Sequence, residues 1–272
     1  MRAFARRIAE IGSYIPGPDM GTDETAMAWV RDETGRAVGL PRELGGIPLD
    51  EIGATGHGLG AAADAVAEAG GIDLAGARVS IQGYGAVGRW AARALADRGA
   101  VVVAVSDSRG GVVKAEGLDL DALDALKAAG RSVAEAAGGT RIAREAAITA
   151  DCDILVPAAR PDVIRADNAD AIRARLVLEG ANIPATRDAE ARLAGRGVLV
   201  VPDFIANAGG VICAAVEYRG GSESAAFGVI AEKVHRNTAE VLARARAEGG
   251  LARDAALAMA RERVERAMAF RR

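Results

Sequence analysis

This sequence predicts an α/β fold built on a doubly wound parallel sheet, and three observations carry the prediction. Short β-branched runs alternate with helical patterns: RVSIQG (78–83), VVVAVSD (101–107), CDILVPA, RLVLEGA and GVLVVPD. The run VVVAVSD has no polar face, as a strand covered by helices on both sides requires. Between the first strand and the next helix, IQGYGAVGRW (81–90) places Gly83, Gly85 and Gly88 in Gly-x-Gly-x-x-Gly spacing.

Taken in order, residues 1–13 read as the end of an amphipathic helix, and SYIPGPDMGTDE as a proline- and glycine-rich loop. TDETAMAWVRDETG is helical, capped by Asp23 or Thr22, with acidic residues in its first turn. RAVGLPRELGGIPLDEIGATG is irregular, and an alanine-rich helix runs from Gly56 to about Gly70. After the first strand, GAVGRWAARALADRGA is a helix with Val87, Ala91 and Leu95 on one face. LDLDALDALKAAG is another. Further helical stretches are expected between CDILVPA and RLVLEGA and before GVLVVPD. From Asn207 onward the pattern is helical, ending in an amphipathic run over 251–270.

Composition narrows the function. Half of the 272 residues are hydrophobic and 26% are charged, as in an ordinary globular protein. Net charge is −3, which gives no case for nucleic acid or an anionic membrane as partner. Arginine outnumbers lysine 31 to 3. Cys152 and Cys213 lie far apart in apolar runs, so buried free thiols and a cytoplasmic chain are expected. No apolar run is long enough to span a bilayer, and the basic start lacks the apolar segment of a secretory signal. No metal site is expected.

The glycine pattern alone is weak in a chain with 34 glycines. Its setting strengthens it, because it follows a strand, opens a helix and precedes a second strand. Gly83 permits the tight turn, Gly85 lets backbone approach a pyrophosphate, and Gly88 lets helix and strand pack closely. The N–H groups of Ala86, Val87 and Gly88 open the helix, where the positive dipole end favours phosphate. Asp107 ends the second strand about 20 residues on, where a carboxylate can bind a ribose 2′-hydroxyl. This favours NAD, while Ser108 and Arg109 beside it suit the 2′-phosphate of NADP. A glycine turn in a non-binding α/β domain is the alternative.

Several stretches occur in a fixed order: IPGPDMGTDE, GGIP with GATGHG, IQGYGAVG, VSDSRGG, CDILVPAA, LEGAN and VPDFIANAGGVICAAVEY. In that order and spacing, from about residue 4 to the C-terminus, the sequence resembles the glutamate/leucine/phenylalanine/valine dehydrogenases. The resemblance implies an oxidoreductase that deaminates an L-amino acid to a 2-oxo acid with NAD or NADP. It implies a Rossmann dinucleotide-binding domain at 53–205, a remnant of the substrate domain at 1–52, and C-terminal helices at 206–272 that pack back on the remnant.

By the same resemblance Asp19 is the catalytic aspartate that shuttles protons to and from the reacting nitrogen. By residue chemistry alone it reads as an Asx-turn or helix-capping residue, and the family match reverses that reading. Thr55 and Asn207 match positions that hold the nicotinamide carboxamide, and Ala159 and Asn182 positions that line the nicotinamide ribose. Val211 and Ala214 match the substrate pocket. His57 is read as a partly exposed helix-start residue without a chemical role, and His235 as solvated.

Departures from the family pattern matter as much. Family members are longer, and their N-terminal segment carries a glycine-rich loop with a catalytic lysine and a second lysine that grips the α-carboxylate. The lysines here are Lys114, Lys127 and Lys233, and none lies in such a loop before Asp19. Ala214 stands where glutamate enzymes have a serine, and Val38-Gly39-Leu40-Pro41 where many members have Thr-Gly-Lys-Pro. Three readings follow as expectations. One is an amino-acid dehydrogenase, truncated or completed by a separate polypeptide and oligomeric when complete. Another is a non-catalytic dinucleotide-binding module, and a different oxidoreductase on the same fold is a third. Without the missing domain, apolar surface on the remnant and the last helices should be exposed or used in self-association.

Overall fold

A computed structural model describes residues 1–19 and 21–271. In chain order the elements are α1 (Arg2–Ile8), α2 (Glu24–Thr34), α3 (Ala54–Glu68), β1 (Arg78–Gln82), α4 (Ala86–Ala96), β2 (Val101–Asp107), β3 (Gly110–Val113), α5 (Leu120–Ala128) and β4 (Thr140–Ile142). They continue as β5 (Ile154–Pro157), β6 (Leu176–Leu178), α6 (Arg187–Gly195), β7 (Leu199–Val201), α7 (Asp203–Ala206), α8 (Gly209–Tyr218), α9 (Glu223–Glu248) and α10 (Ala252–Met268). The seven strands form one sheet in the order β4-β3-β2-β1-β5-β6-β7.

The parallel part, β2-β1-β5-β6-β7, is the sheet the alternating pattern predicts. The wholly parallel sheet expected is corrected at one edge, where β3 and β4 run antiparallel. β3 returns through a two-residue turn, Ser108-Arg109, with Gly110 facing Asp107. Only glycine adopts the φ of +146° at Gly110 without strain. The short GGVV and TRI runs lack the apolar length that marks the central strands. The helix expected between β5 and β6 is likewise corrected to a 3-10 turn at Ala169–Ala171. There Asn168 Oδ1 accepts from Arg165 N (2.8 Å) and Asn168 Nδ2 donates to Val163 O (2.9 Å). Such side-chain bonds give the backbone an alternative to helix.

Both faces of the sheet are covered. On one, Val79, Ile81, Ile154, Val156, Leu176 and Leu178 pack with Leu59 and Val66 of α3 and Ala91 and Leu95 of α4. On the other, Val103, Leu155 and Val177 meet Ile148, Ile164, Ile172 and Leu193. Each fully buried branched side chain contributes about 1.5–3 kcal/mol relative to exposure. α9 lies along α3, α8 joins both, and α10 packs on α9 and approaches β7.

The N-terminal residues form their own cluster, with Ala5 and Ile8 of α1 against Met27 and Val30 of α2 and Leu40. Asp23, one of the two expected caps, accepts from Ala26 N at 2.8 Å. Arg36 draws the segment after α1 together by donating to the carbonyls of Ile8, Ala9, Ile11 and Tyr14. Glu217 of α8 accepts from Gly39 N (2.6 Å) and Leu40 N (3.1 Å), which ties this segment to the C-terminal helices. Phe4, Ile11, Tyr14, Trp29, Val264, Met268 and Phe270 are exposed, and they lie on the N-terminal segment and the last helix. Among the described residues no helix is long and apolar enough to cross a membrane.

Candidate functional site

The glycine loop has the geometry its sequence implies. Gly83 takes φ +100°, and its N–H, with that of Tyr84, donates to Ser106 O (3.0 and 2.8 Å). A Cβ at Gly88 would stand 1.8 Å from Gly83 O, so only glycine lets α4 begin this close to β1. A Cβ at Gly85 would meet nothing within 4 Å and would enter open space. α4 starts at Ala86 with no side-chain cap and no acidic residue in its first turn. Its first N–H groups, on Ala86, Val87 and Gly88, are therefore left to an external anion. Tyr84 itself is buried and donates to Asp124 (3.1 Å), which locks α4 against α5.

A cleft of about 700 Å³ opens at the carboxyl ends of β1, β2 and β5, lined by Gly83, Gly85, Ser108, Ala159 and cationic Lys127, Arg144, Arg160 and Arg165. Gln82 Oε1 borders it, buried and without a hydrogen-bond partner among the described residues. The open face at Gly85, the uncapped helix and this orphaned acceptor fit a dinucleotide.

Asp107 lies at one end of the cleft, but both its oxygens are already engaged. Oδ1 accepts from Arg109 N (2.9 Å) and Ser132 Oγ (2.8 Å). Oδ2 accepts from Val133 N (3.1 Å) and Lys127 Nζ (3.1 Å). Burial opposes the charge, yet these four donors outweigh it and hold the carboxyl at about 2. Arg109 turns away, donating to Gly130 O (2.8 Å), while Ser108 stays exposed at the cleft. Lys127 escaped the sequence reading because its place depends on how α5 sits 20 residues after Asp107.

Outside the lining of this cleft, the structure brings Thr55, Asn182 and Asn207 into one neighbourhood. Asn207 Nδ2 donates to Asn182 Oδ1 (2.8 Å) and Gly180 O (3.3 Å). α8 approaches α3 so closely that a Cβ at Gly210 would lie 3.0 Å from Thr55 Oγ1, and one at Gly209 would lie 2.0 Å from Ala54 O. Ala159 packs directly on Gly83, where an added Cβ would come 2.7 Å from Ala159 Cβ. Val211 is exposed on α8, and Ala214 is half-buried against the core.

Asp19 sits on an exposed turn, where its N–H donates to Thr22 Oγ1 and its carbonyl accepts from Thr22 N (2.8 and 2.9 Å). The preceding Pro18 packs on Gly39, which Glu217 of α8 holds. Partial desolvation first, then Glu24 and Asp19, raise the pKa of Asp50, so these acids share one field. His57 is half-buried and meets Phe227 edge-on at 4.9 Å; burial, then Arg98, lowers its pKa. His235 pairs with Glu68 at 2.9 Å. Burial pushes the Cys152 and Cys213 thiols up to about 12, which leaves them as inert free thiols.

Residues 45–272 match the model of the Glutamate/Leucine/Phenylalanine/Valine dehydrogenase family. The chain belongs to this family. It is 40% identical to a glutamate dehydrogenase of Aeropyrum pernix over 283 aligned residues, covering 97% of this chain and 68% of that protein. It is 42% identical to an NADP-specific glutamate dehydrogenase of Saccharolobus shibatae, over 75% of this chain and 50% of that one. The structure is similar to a hetero-hexameric glutamate dehydrogenase from Thermus thermophilus in its Leu-bound form, with TM-score 0.87 and 33% identity, over 98% of this chain and 67% of that one. The chain thus spans from half to about two thirds of the length of these relatives. The α/β fold expected from the sequence is the family's fold.

Sequence reasoning also missed a buried charge cluster behind the asparagines: Glu179, Glu190, Asp203 and Arg253. Signals for it existed. Glu179 is an acid at the end of an apolar strand, and Arg253 is a cation in the first turn of a helix, against the dipole.

Proposed function

We propose that this chain supplies the dinucleotide-binding domain (53–205), part of the substrate domain (1–52) and the closing helices (206–272) of an NAD(P)-dependent amino-acid dehydrogenase. The observation that carries the reading is the convergence of Thr55, Asn182 and Asn207 on the same side of the sheet, at the carboxyl strand ends, as an open Gly85 and an uncapped helix.

The residues divide the work. The backbone at Gly85 to Gly88 and the start of α4 hold the pyrophosphate. Thr55 and Asn207 offer a hydroxyl and an amide to the nicotinamide carboxamide, and Ala159 and Asn182 line its ribose. A bound nicotinamide supplies the acceptor for the hydride leaving the amino-acid Cα. Asp19 takes and returns the proton at the amine nitrogen, as a carboxylate in hydrogen-bond reach of it can. Val211 and Ala214 face the substrate side chain. Lys114, Lys127 and Lys233 lie far from Asp19 in sequence, and none of them is given the grip on the substrate carboxylate. The substrate is a glutamate-like, branched or aromatic L-amino acid, and the working protein is a homo-oligomer. Two free buried thiols support a cytoplasmic location.

The strand-end place of Asp107 favours NAD, but its four donors leave the carboxylate little capacity for a ribose hydroxyl, and the Lys127 partner makes room for NADP. An assay of NAD reduction with glutamate, leucine, valine and phenylalanine tests the reading. Turnover that Asp19→Asn abolishes supports it. Cofactor binding without turnover by any of the four favours the non-catalytic module.

A further inference from the structure

Arg253, the second residue of α10, is 16% exposed and serves three carboxylates at once. Its Nε donates to Glu190 Oε1 (2.6 Å), Nη1 to Asp203 Oδ1 (2.8 Å) and Nη2 to Glu179 Oε2 (2.7 Å). All three acids are buried, at 4%, 8% and 0% side-chain exposure. They come from α6, α7 and the end of β6, so one guanidinium from the last helix ties three distant segments together.

Asp203 carries the tie forward. Its N–H donates to Glu179 Oε2 (2.9 Å), and its Oδ2 accepts from Ile183 N (2.7 Å). Its carbonyl accepts from Asn207 N (2.7 Å). Ile183 takes φ +48°, a left-handed region that strains a β-branched residue. Ile183 is 57% exposed, so packing does not hold it there. The Asp203 carboxylate on its N–H and Asp162 N on its carbonyl (3.0 Å) hold it. Asn182 precedes Ile183 directly, and its side chain is the partner of Asn207.

We propose that Arg253 is a positioning residue for the nicotinamide end of the cleft. It touches no ligand and acts through Asp203 on the two asparagines, on the reading of the site given above. The adenosine end has its own support, since Asp107 is fixed by Arg109, Lys127, Ser132 and Val133 with no contribution from α10. Loss of Arg253 leaves Asp203 shared between repulsion from Glu179 and Glu190 and the strained Ile183. The Asn182–Asn207 pair then loses its fixed geometry, while the glycine loop keeps its own.

The test is a pair of titrations of the whole chain, with NADH and with ADP-ribose, which lacks the nicotinamide. Arg253→Met should weaken NADH about tenfold and leave ADP-ribose within about twofold. Arg253→Lys keeps the charge but not the fork, and should weaken NADH by about threefold with ADP-ribose unchanged. It supplies the answer if Arg253→Met does not fold. Equal losses for both ligands, or unchanged NADH binding in both variants, overturn the proposal. Wild-type chain that binds neither ligand overturns the functional reading, and this proposal with it.

Discussion

The two regions that the proposal gives to the cofactor are built in opposite ways. In the one proposed for the adenosine, Asp107 finds all its partners within 26 residues of itself, and four donors hold its carboxyl down at about 2. In the one proposed for the nicotinamide, Asn182 and Asn207 rest on Asp203, which rests on Glu179 and on Arg253, 50 residues further along. There the balance of charge is reversed. Three acids surround one arginine, and burial first, then Glu190, pushes Glu179 up to about 8. Glu179 Oε1 is buried with no partner among the described residues, so the charge of this carboxyl leans on Arg253 alone among cations. A local, donor-rich network makes a rigid anchor for one half of a ligand. A long-range, acid-rich network makes an anchor that depends on how distant helices dock.

That contrast has a signature in stability against pH. Glu179 faces Glu190, Asp203 and Arg253, and its folded pKa lies above its ordinary value of 4.5. Its contribution is complete at low pH and is lost as pH climbs from about 4.5 to about 8. Asp107 behaves oppositely, because its folded pKa lies below 3.8. Its contribution is present above about 4 and is lost as pH falls toward 2. Urea denaturation from pH 3 to 9 should show both limbs. Glu179→Gln should flatten the upper limb by at least about 1.4 kcal/mol and leave the lower one unchanged. An upper limb unaltered by this substitution would remove the contrast between the two ends.

A smaller effect sharpens the adenosine end. Lys127 pairs with Asp107 beside the exposed Ser108, and the proposal gives it the task of admitting a 2′-phosphate there. Lys127→Ala should weaken NADPH about tenfold and leave NADH unchanged or tighter. Parallel losses for the two cofactors would mean that Lys127 serves only the fold.

The difference between the ends also decides how much could be read in advance. The central strands, the glycine loop and its position before α4 were legible, because period, β-branching and glycine spacing are local properties. Asp107 was legible as a strand-end acid, but not as a saturated one, since Ser132 and Lys127 reach it only after α5 has folded back. β3 and β4 were not legible, because GGVV and TRI owe their pairing to the Ser108-Arg109 turn and not to apolar content. The missing helix between β5 and β6 follows from Asn168, whose side chain bonds to local backbone. Asp19, Thr55 and Asn207 are ordinary turn or helix residues by chemistry, and only the ordered family motifs distinguished them. The Arg253 cluster joins residues up to 74 apart, a distance that no local pattern spans.

The central claim is that the open face at Gly85 is where a dinucleotide lies. Gly85 has φ −95°, which any residue can adopt, and a Cβ there meets no protein atom within 4 Å. NADH titration of wild type and Gly85→Ala, with the denaturation midpoint measured on the same samples, tests this most directly. The account predicts an unchanged midpoint and NADH binding weakened about tenfold or more, because the methyl group occupies the pyrophosphate's place. Equal NADH affinity in the two proteins would contradict it.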